Sequence, residues 1–251
     1  MTLLAVERIK LFSTRSPWWC IALAAAISIG FSALVTGLSA DEFITVGNTQ
    51  VGYNFAFPVV LVLAILGITT EYRFGTIKST FMAAPNRTKV MLAKTALVAM
   101  VCGLIGEVTA FTSWGVANLI KPSVDLSLNS QPEWRYVAGI GLVYAIGAVI
   151  GISIGALVRQ TAAAVSIVLV FILLVESLIG LVPKVGDDIQ VLMPFINANH
   201  FLASGSGALA GEGAGLGLEM HWGPWGALAY YSAIALVFLV AAVAVVERRD
   251  A

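Results

Sequence analysis

Long apolar runs, separated by short polar connections, are the main pattern along this chain. The runs are continuous and do not alternate between apolar and polar positions, so they predict helices rather than the strands of a β-barrel. About 20 helical residues cross a hydrocarbon core of about 30 Å. Six runs are long enough, which predicts an all-α membrane protein with one transmembrane domain over residues 1–251. The predicted spans cover residues 18–38, 51–70, 90–116, 136–158, 161–182 and 225–246.

Composition supports the membrane class. Hydrophobic residues make up 59% of the chain and charged residues only 11%, whereas soluble domains carry about 25% charged residues. The formal net charge is zero, which argues against a nucleic-acid partner. Ser16-Pro17-Trp18-Trp19 precedes the first run without a small-residue cleavage site, so we expect the first span to be retained.

The positions of Lys and Arg predict the orientation of the spans, because cytoplasmic connections are enriched in these residues. Eleven of the 14 basic residues fall on one side of the predicted topology. We therefore expect a multi-pass protein of the cell (plasma) membrane with cytoplasmic N- and C-termini. The eleven are Arg8, Lys10, Arg15, Arg73, Lys78, Arg87, Lys89, Lys94, Arg159, Arg248 and Arg249.

Two segments outside the spans carry apolar residues of their own. Residues 1–17 combine an apolar face with Glu7, Lys10 and Arg15, which predicts a helix lying on the cytoplasmic leaflet. A frayed terminus is the alternative. Residues 183–222 form an extracytoplasmic segment. Its apolar stretch, 189–202, is too short to span and is broken by Pro194, so it is re-entrant, interfacial or a plain solvent loop.

The connection of residues 71–87 has a helical pattern. Phe74, Ile77 and Phe81 have i, i+3, i+7 spacing, and Pro85 ends the helix. The pattern predicts a short amphipathic helix across the cytoplasmic end of the bundle. A basic loop that only sets the topology is the alternative, but the apolar stripe favours a docking surface.

This connection resembles the coupling helix in the permease subunits of type-2 ABC exporters. Other features agree: Glu7, Lys10 and Arg15 before the first span, a very short link between spans four and five, and a long outer segment between spans five and six. The chain also closes on Arg248-Arg249-Asp250 after the sixth span. The coupling-helix positions that match are Glu71, Arg73, Gly75, Thr76, Pro85 and Arg87.

The resemblance implies a partner. Two ABC ATPase subunits per complex would bind ATP and Mg and dock on the 71–87 helix and the N-terminal helix, and a second permease copy or a related permease would complete the pathway. It also implies short outer helices between spans five and six. The docking residues would be Glu71, Arg73, Phe74, Gly75, Thr76, Ile77, Phe81, Pro85 and Arg87, with Glu7, Lys10 and Arg15 in the interfacial helix.

The sequence itself predicts no enzyme. It has no Gly-x-x-x-x-Gly-Lys-Ser/Thr loop, and residues 75–79 lack the upstream glycine and the Gly-Lys pair. His200 and His221 are not spaced as a metal site. We therefore expect no catalytic, cofactor or metal residues. The resemblance implies an exporter subunit that forms half of the translocation pathway, and the few fixed charges within the spans predict an amphipathic or apolar substrate.

Two carboxylates fall inside predicted spans. Glu107 lies midway along the third span and Glu176 late in the fifth. A charged side chain there costs about 2.5–3.5 kcal/mol on insertion scales, so it usually faces protein or a wet cavity. Both are candidate pathway residues. Alternatively, Glu107 is simply protonated and Glu176 is solvated near the outer interface. An alternative function is a secondary transporter or channel in which Glu107 and Glu176 carry protons. Another alternative is a membrane scaffold that transports nothing.

Overall fold

The computed structural model describes residues 3–83, 86–183, 185–204 and 220–248, and within these ranges the regular structure is entirely helical. Pro85, Lys184, Arg249 and Asp250 lie outside the described residues. The longer helices are α1 (Leu3–Phe12), α2 (Ser16–Leu38), α3 (Tyr53–Phe74), α4 (Thr76–Ala83), α5 (Arg87–Ile120), α6 (Gln131–Val158), α7 (Thr161–Val170), α10 (Pro194–Ala203) and α11 (Pro224–Arg248); α8 (Glu176–Leu178) and α9 (Gly186–Gln190) are short.

Six helical stretches are long and apolar enough to cross a membrane, which confirms an all-α membrane protein with six spans. The fifth is a composite in which α7 continues through a π-turn, α8 and a 3₁₀ turn. The helices extend a few residues past several predicted bounds, as the hydropathic pattern does not mark where polar end turns stop. The spans are Ser16–Leu38, Asn48–Phe74, Arg87–Ile120, Gln131–Val158, Thr161–Leu181 and Pro224–Arg248.

The helix α5 is the longest in the described chain, with 34 residues. The side chain of Asn86 caps its N-terminus by accepting a hydrogen bond from the backbone N–H of Lys89 at 2.9 Å. At 1.5 Å per residue the helix is roughly 50 Å long. It therefore has to tilt or project beyond a hydrocarbon core of about 30 Å.

The helix α6 forms the centre of the bundle and packs against α3, α5 and α11. Its stripe of Gly147, Gly151 and Gly155 lies against α3. A Cβ atom added to Gly147 would approach the Phe57 ring to 2.6 Å, and one added to Gly155 would approach Ile68 Cγ2 to 2.8 Å. The glycines thus permit close helix contact, as small residues do between membrane helices.

Peripheral and central spans differ in burial. In the fifth span only 17% of an apolar stretch of 18 residues is buried within the chain, against 67% of the corresponding stretch in α6. The spans α2 and α11 are also mostly exposed. These apolar surfaces are available to lipid or to another membrane subunit.

Short helices cap the end of the bundle opposite α1 and α4. The indole N–H of Trp222 donates to Asn197 Oδ1 at 2.7 Å, and the Asn197 amide donates to Val191 O at 2.7 Å. The hydroxyl of Tyr230 donates to Leu192 O at 2.9 Å. The helices α9 and α10 lie in the connection between spans five and six, where the resemblance implied short helices.

Candidate functional site at the basic end

We call one end of the bundle the basic end; it carries α1, α4, the start of α5, the α6–α7 link and the end of α11. Here Gly75 ends α3 in the left-handed conformation, with φ at 69° and its N–H bonded to Tyr72 O. Glycine adopts this conformation without steric cost. The chain turns, and α4 begins at Thr76.

The turn at Gly75 interrupts the apolar stripe predicted for Phe74, Ile77 and Phe81, so these residues do not lie on one continuous helix. Glu71, Arg73 and Phe74 belong to α3 rather than to the short helix. Ile77 is only 4% exposed, whereas Phe74 is 68% exposed, because the break at Gly75 rotates the two residues away from a common face. The predicted end of the helix at Pro85 lies outside the described residues.

The buried face of α4 packs on α5 and α11. Ile77 and Phe81 line a narrow gap together with Met91 and Val246. The Arg87 guanidinium lies 5.3 Å from the centre of the Phe81 ring and donates to Val246 O at 3.3 Å. Two predicted docking residues, Ile77 and Phe81, therefore hold α4 in place instead of facing outward.

A network of four charged side chains joins α4 to the rest of the basic end. The Lys94 ammonium donates to Glu7 and, at 2.5 Å, to Glu71 Oε1. The Lys10 ammonium donates to Glu7 Oε1 at 2.8 Å and to Thr80 Oγ1 at 2.9 Å. We call Glu7, Lys10, Glu71 and Lys94 the charge network; with Thr80 it connects α1, α3, α4 and α5.

The charge network is largely buried and has no formal net charge. Lys94 is 4% exposed, and Glu7 and Glu71 are also buried. Burying each ion costs several kcal/mol, which is offset only when the pairing geometry is good. Burial alone would raise the pKa of Glu7, but the ammonium groups of Lys94 and Lys10 outweigh it and hold that pKa below its usual 4.5.

Acid should loosen α1, because the Glu7 carboxylate must be ionised to pair with the two lysines. Because the pKa of Glu7 is lowered in the folded protein, its ionised carboxylate stabilises the folded state at pH values above about 4.5. This stabilisation is lost as the pH falls through the pKa that Glu7 has in the folded protein. We expect the unfolding temperature of the purified protein to fall with pH in this range, and to fall less in Glu7→Gln. The exposed Glu42→Gln variant is the control. A pH profile unchanged by Glu7→Gln would contradict the assignment.

The structure brings together Glu7, Lys10 and Glu71 from the predicted docking set. Thr76 closes the turn, its hydroxyl donating to Glu71 O at 3.5 Å. Arg73 is exposed and lies 5.6 Å from the centre of the Phe74 ring. Arg15 is exposed at the start of α2 and makes no capping hydrogen bond with the described chain, so it stands apart from the charge network.

Sequence reasoning missed two members of this site, Lys94 and Thr80. The sequence places Lys94 inside the predicted third span, 90–116, where it contributes to the positive charge of one side. A lysine within a span usually pairs with another polar group, so its position could have indicated a buried ion pair. Thr80 had no signal in the sequence, since its contact with Lys10 joins residues 70 positions apart.

The two intramembrane carboxylates contact different helices. Glu176 is buried, and its Oε1 accepts the N–H of Phe195 at 3.0 Å, in the first turn of α10. A carboxylate is favourable at a helix N-terminus because the first N–H groups lack intrahelical partners. Glu107 is partly exposed and lies against Gly141 of α6. The solvated position expected as an alternative for Glu176 is wrong.

The described residues hold no group of three His, Cys, Asp or Glu side chains that could bind a metal ion. Cys20 and Cys102 are both free thiols within spans.

The chain was compared with known proteins. No curated protein sequence matches it. A family model described as "Protein of unknown function (DUF2705)" matches residues 20–251, which include Glu71 and Lys94 of the charge network but not Glu7 and Lys10. Because the match extends over nearly all of the sequence, the chain belongs to the DUF2705 family.

Proposed function

We propose that this protein is the transmembrane permease subunit of an ATP-driven ABC exporter, in which it forms half of the translocation pathway. The observation that carries the proposal is the attachment of α4. This short helix lies beyond the spans and is tied through Lys10, Glu71 and Lys94 to α1, α3 and α5. Such an element can pass on a force applied from outside the membrane.

The outward side of this region offers a surface for a partner. Phe74 is 68% exposed and Met82 is 80% exposed, and Arg73 and Lys78 are exposed beside them. Apolar residues grouped with charges outside the spans are typical of a protein contact. The partner would be an ABC ATPase, with two copies per complex that bind ATP and Mg.

The charge network provides the route of coupling. Movement of α4 would pull α1 through the Lys10–Thr80 bond and α3 through the turn at Gly75. Lys94 would carry the same displacement into α5. ATP-driven closure of the two ATPases would thereby bias the bundle between inward-open and outward-open states.

A second permease copy, or a related permease, would complete the pathway. The weakly buried fifth span and α2 leave apolar surface for it. On this proposal the basic end faces the cytoplasm and the protein resides in the cell membrane, in line with the positions of Lys and Arg.

An apolar cavity supports an apolar or amphipathic substrate. Its volume is about 300 Å³, and it lies between α6, α7, α10 and α11. Its described lining is apolar and includes Ile154, Phe171, Phe195 and Phe238. A proton-coupled secondary transporter would instead rely on Glu107 and Glu176. Glu176 Oε1 accepts the Phe195 N–H of α10, whereas Glu107 lies between α5 and α6, so the two carboxylates contact different helices. This separation gives no support to a proton relay that uses both, and we favour the permease.

The test uses exposed residues of the proposed docking surface, since Glu71 is buried and its replacement would also disturb folding. The tagged protein is purified from native membranes and reconstituted, and ATP hydrolysis is measured. We expect an ATPase to co-purify, and Phe74→Asp and Met82→Asp to lower hydrolysis at least tenfold without changing the unfolding temperature.

Phe43→Asp, at an exposed position of the opposite end, is the matched control and should retain hydrolysis. The proposal fails if the purified protein brings no ATPase with it. It also fails if substrate movement continues on a proton gradient in ATPase-free vesicles.

A further inference from the structure

The apolar cavity of about 300 Å³ lies within the spans, in the side of the bundle where the fifth and sixth spans flank α6. Both α7 and α11 pack against α6, and side chains from all three helices line the cavity. Ile167 of α7 lines it and is 52% exposed, so the cavity opens toward the surface that faces lipid. The α6 residues that line it are Ile150, Ile154, Leu157 and Val158.

Phe195 closes the end of the cavity that points toward the outer helices. The centre of its ring lies 6.3 Å from that of Phe171 in the fifth span and 6.0 Å from that of Tyr231 in α11. Pro194 lines the cavity beside it. At the other end the lining reaches Val158, the last residue of α6 at the basic end. A ligand can therefore extend from the cavity toward the basic end but not past α10.

The lining of the cavity matches a hydrocarbon ligand. Every described residue that lines it is apolar, so neither charge nor side-chain hydrogen bonds select the ligand. The medium around the spans at this depth is the hydrocarbon of the bilayer. Atoms that line a void lose dispersion contacts, and a hydrocarbon chain that fills the void restores them.

The dimensions of the cavity fit one acyl chain and exclude a helix of a second permease copy. From Ile150 to Val158 the lining extends about 12 Å along α6 at 1.5 Å per residue. An acyl chain of one leaflet extends about 15 Å, half of a hydrocarbon core of about 30 Å. A helix is about 10 Å wide with its side chains, so 12 Å of it fills on the order of 900 Å³. That is about three times the volume of the cavity.

The wall of the cavity also carries an irregular turn. Phe171 lines the cavity and begins the π-turn Phe171–Val175, which interrupts the fifth span. Turns of this kind are rare inside α-helices and are frequent at functional sites. The irregularity is therefore a second feature, independent of the volume, that distinguishes this part of the lipid-facing surface.

We infer that this cavity binds one acyl chain of a lipid from the leaflet at the basic end, with the methyl end of the chain against Phe195 and the headgroup beyond Val158. The binding itself requires no ATPase. Identifying the bound lipid with the amphipathic substrate rests on the proposed function. The test below uses the permease alone, so its failure is distinct from a failure of the proposed function.

The test maps the position of the chain by photocrosslinking. The intact protein is reconstituted into phosphatidylcholine nanodiscs that contain a phosphatidylcholine with a diazirine near the methyl end or near the ester of one chain. Labelled peptides are identified by mass spectrometry. We expect the methyl-end diazirine to label the peptide of Phe195 at least fivefold more than the ester-end diazirine does, and the ester-end diazirine to favour the peptide of Val158. The reverse order would overturn the assigned leaflet, and equal labelling by the two lipids would overturn the site.

Two variants separate a chain inside the cavity from lipid that only surrounds the bundle. Ile154→Trp fills the cavity and should lower labelling of the Phe195 peptide at least fivefold. Ile167→Trp, at the exposed opening, should have the same direction of effect with less risk to folding. Val237→Trp is the matched control, because Val237 is 68% exposed on α11 and does not line the cavity, so labelling should not change. Unchanged labelling in a folded Ile154→Trp or Ile167→Trp variant would overturn the proposal.

Discussion

Replacing Lys94 by methionine is expected to lower the free energy of unfolding by about 3–5 kcal/mol, the usual loss when one member of a buried ion pair is removed. Methionine fills a similar volume but leaves the carboxylates of Glu7 and Glu71 buried without their shared cation. Lys10 remains near both, but it is more exposed and lies 3.7 Å from Glu71 Oε1. Tryptophan fluorescence during SDS unfolding in mixed micelles measures the change.

Lys121→Met is the matched control. Lys121 pairs with Asp41 at 2.6 Å, but the Asp41 side chain is 54% exposed, so water already screens the pair. Exposed pairs of this kind contribute little to stability, because water and salt screen them. An equal loss of unfolding free energy in Lys94→Met and Lys121→Met would show that the charge network does not hold the basic end together.

The second large effect is expected at Gly52, where α3 begins against α2. A Cβ atom at this position would lie 2.3 Å from the backbone oxygen of Ser28 and 2.8 Å from its Cα. Backbone atoms cannot rotate away as a side chain can, so Gly52→Ala must separate the two helices. We expect a loss of about 1–3 kcal/mol in the free energy of unfolding, measured in the same micelles.

Gly30→Ala is the control for helix propensity. Gly30 lies within α2, and none of the described atoms comes within 4 Å of an added Cβ. Alanine is favoured over glycine inside a helix by about 0.8–1.0 kcal/mol, so this variant should be neutral or slightly stabilising. A similar loss in both variants would contradict the close approach of Gly52 to Ser28.

Local properties of the sequence were enough to predict the spans and the short helix after the second one. Span length and continuous hydropathy depend on neighbouring residues, because a helix satisfies its own backbone groups in lipid. The same local reasoning placed Phe74 on a stripe with Ile77. It could not foresee that Gly75 would end one helix and start another, since glycine also occurs within helices and only the φ angle distinguishes the two cases.

The sequence by itself determined that this chain crosses a membrane as six helices and where its positive charges concentrate. Only the tertiary structure decided that Lys94 pairs with Glu7, 87 positions away, and with Glu71, 23 positions away. It likewise decided that Glu176 caps α10 instead of being solvated. The reason is physical: insertion into lipid depends on the summed hydropathy of one segment, whereas a buried charge selects its partner by distance after the helices have packed.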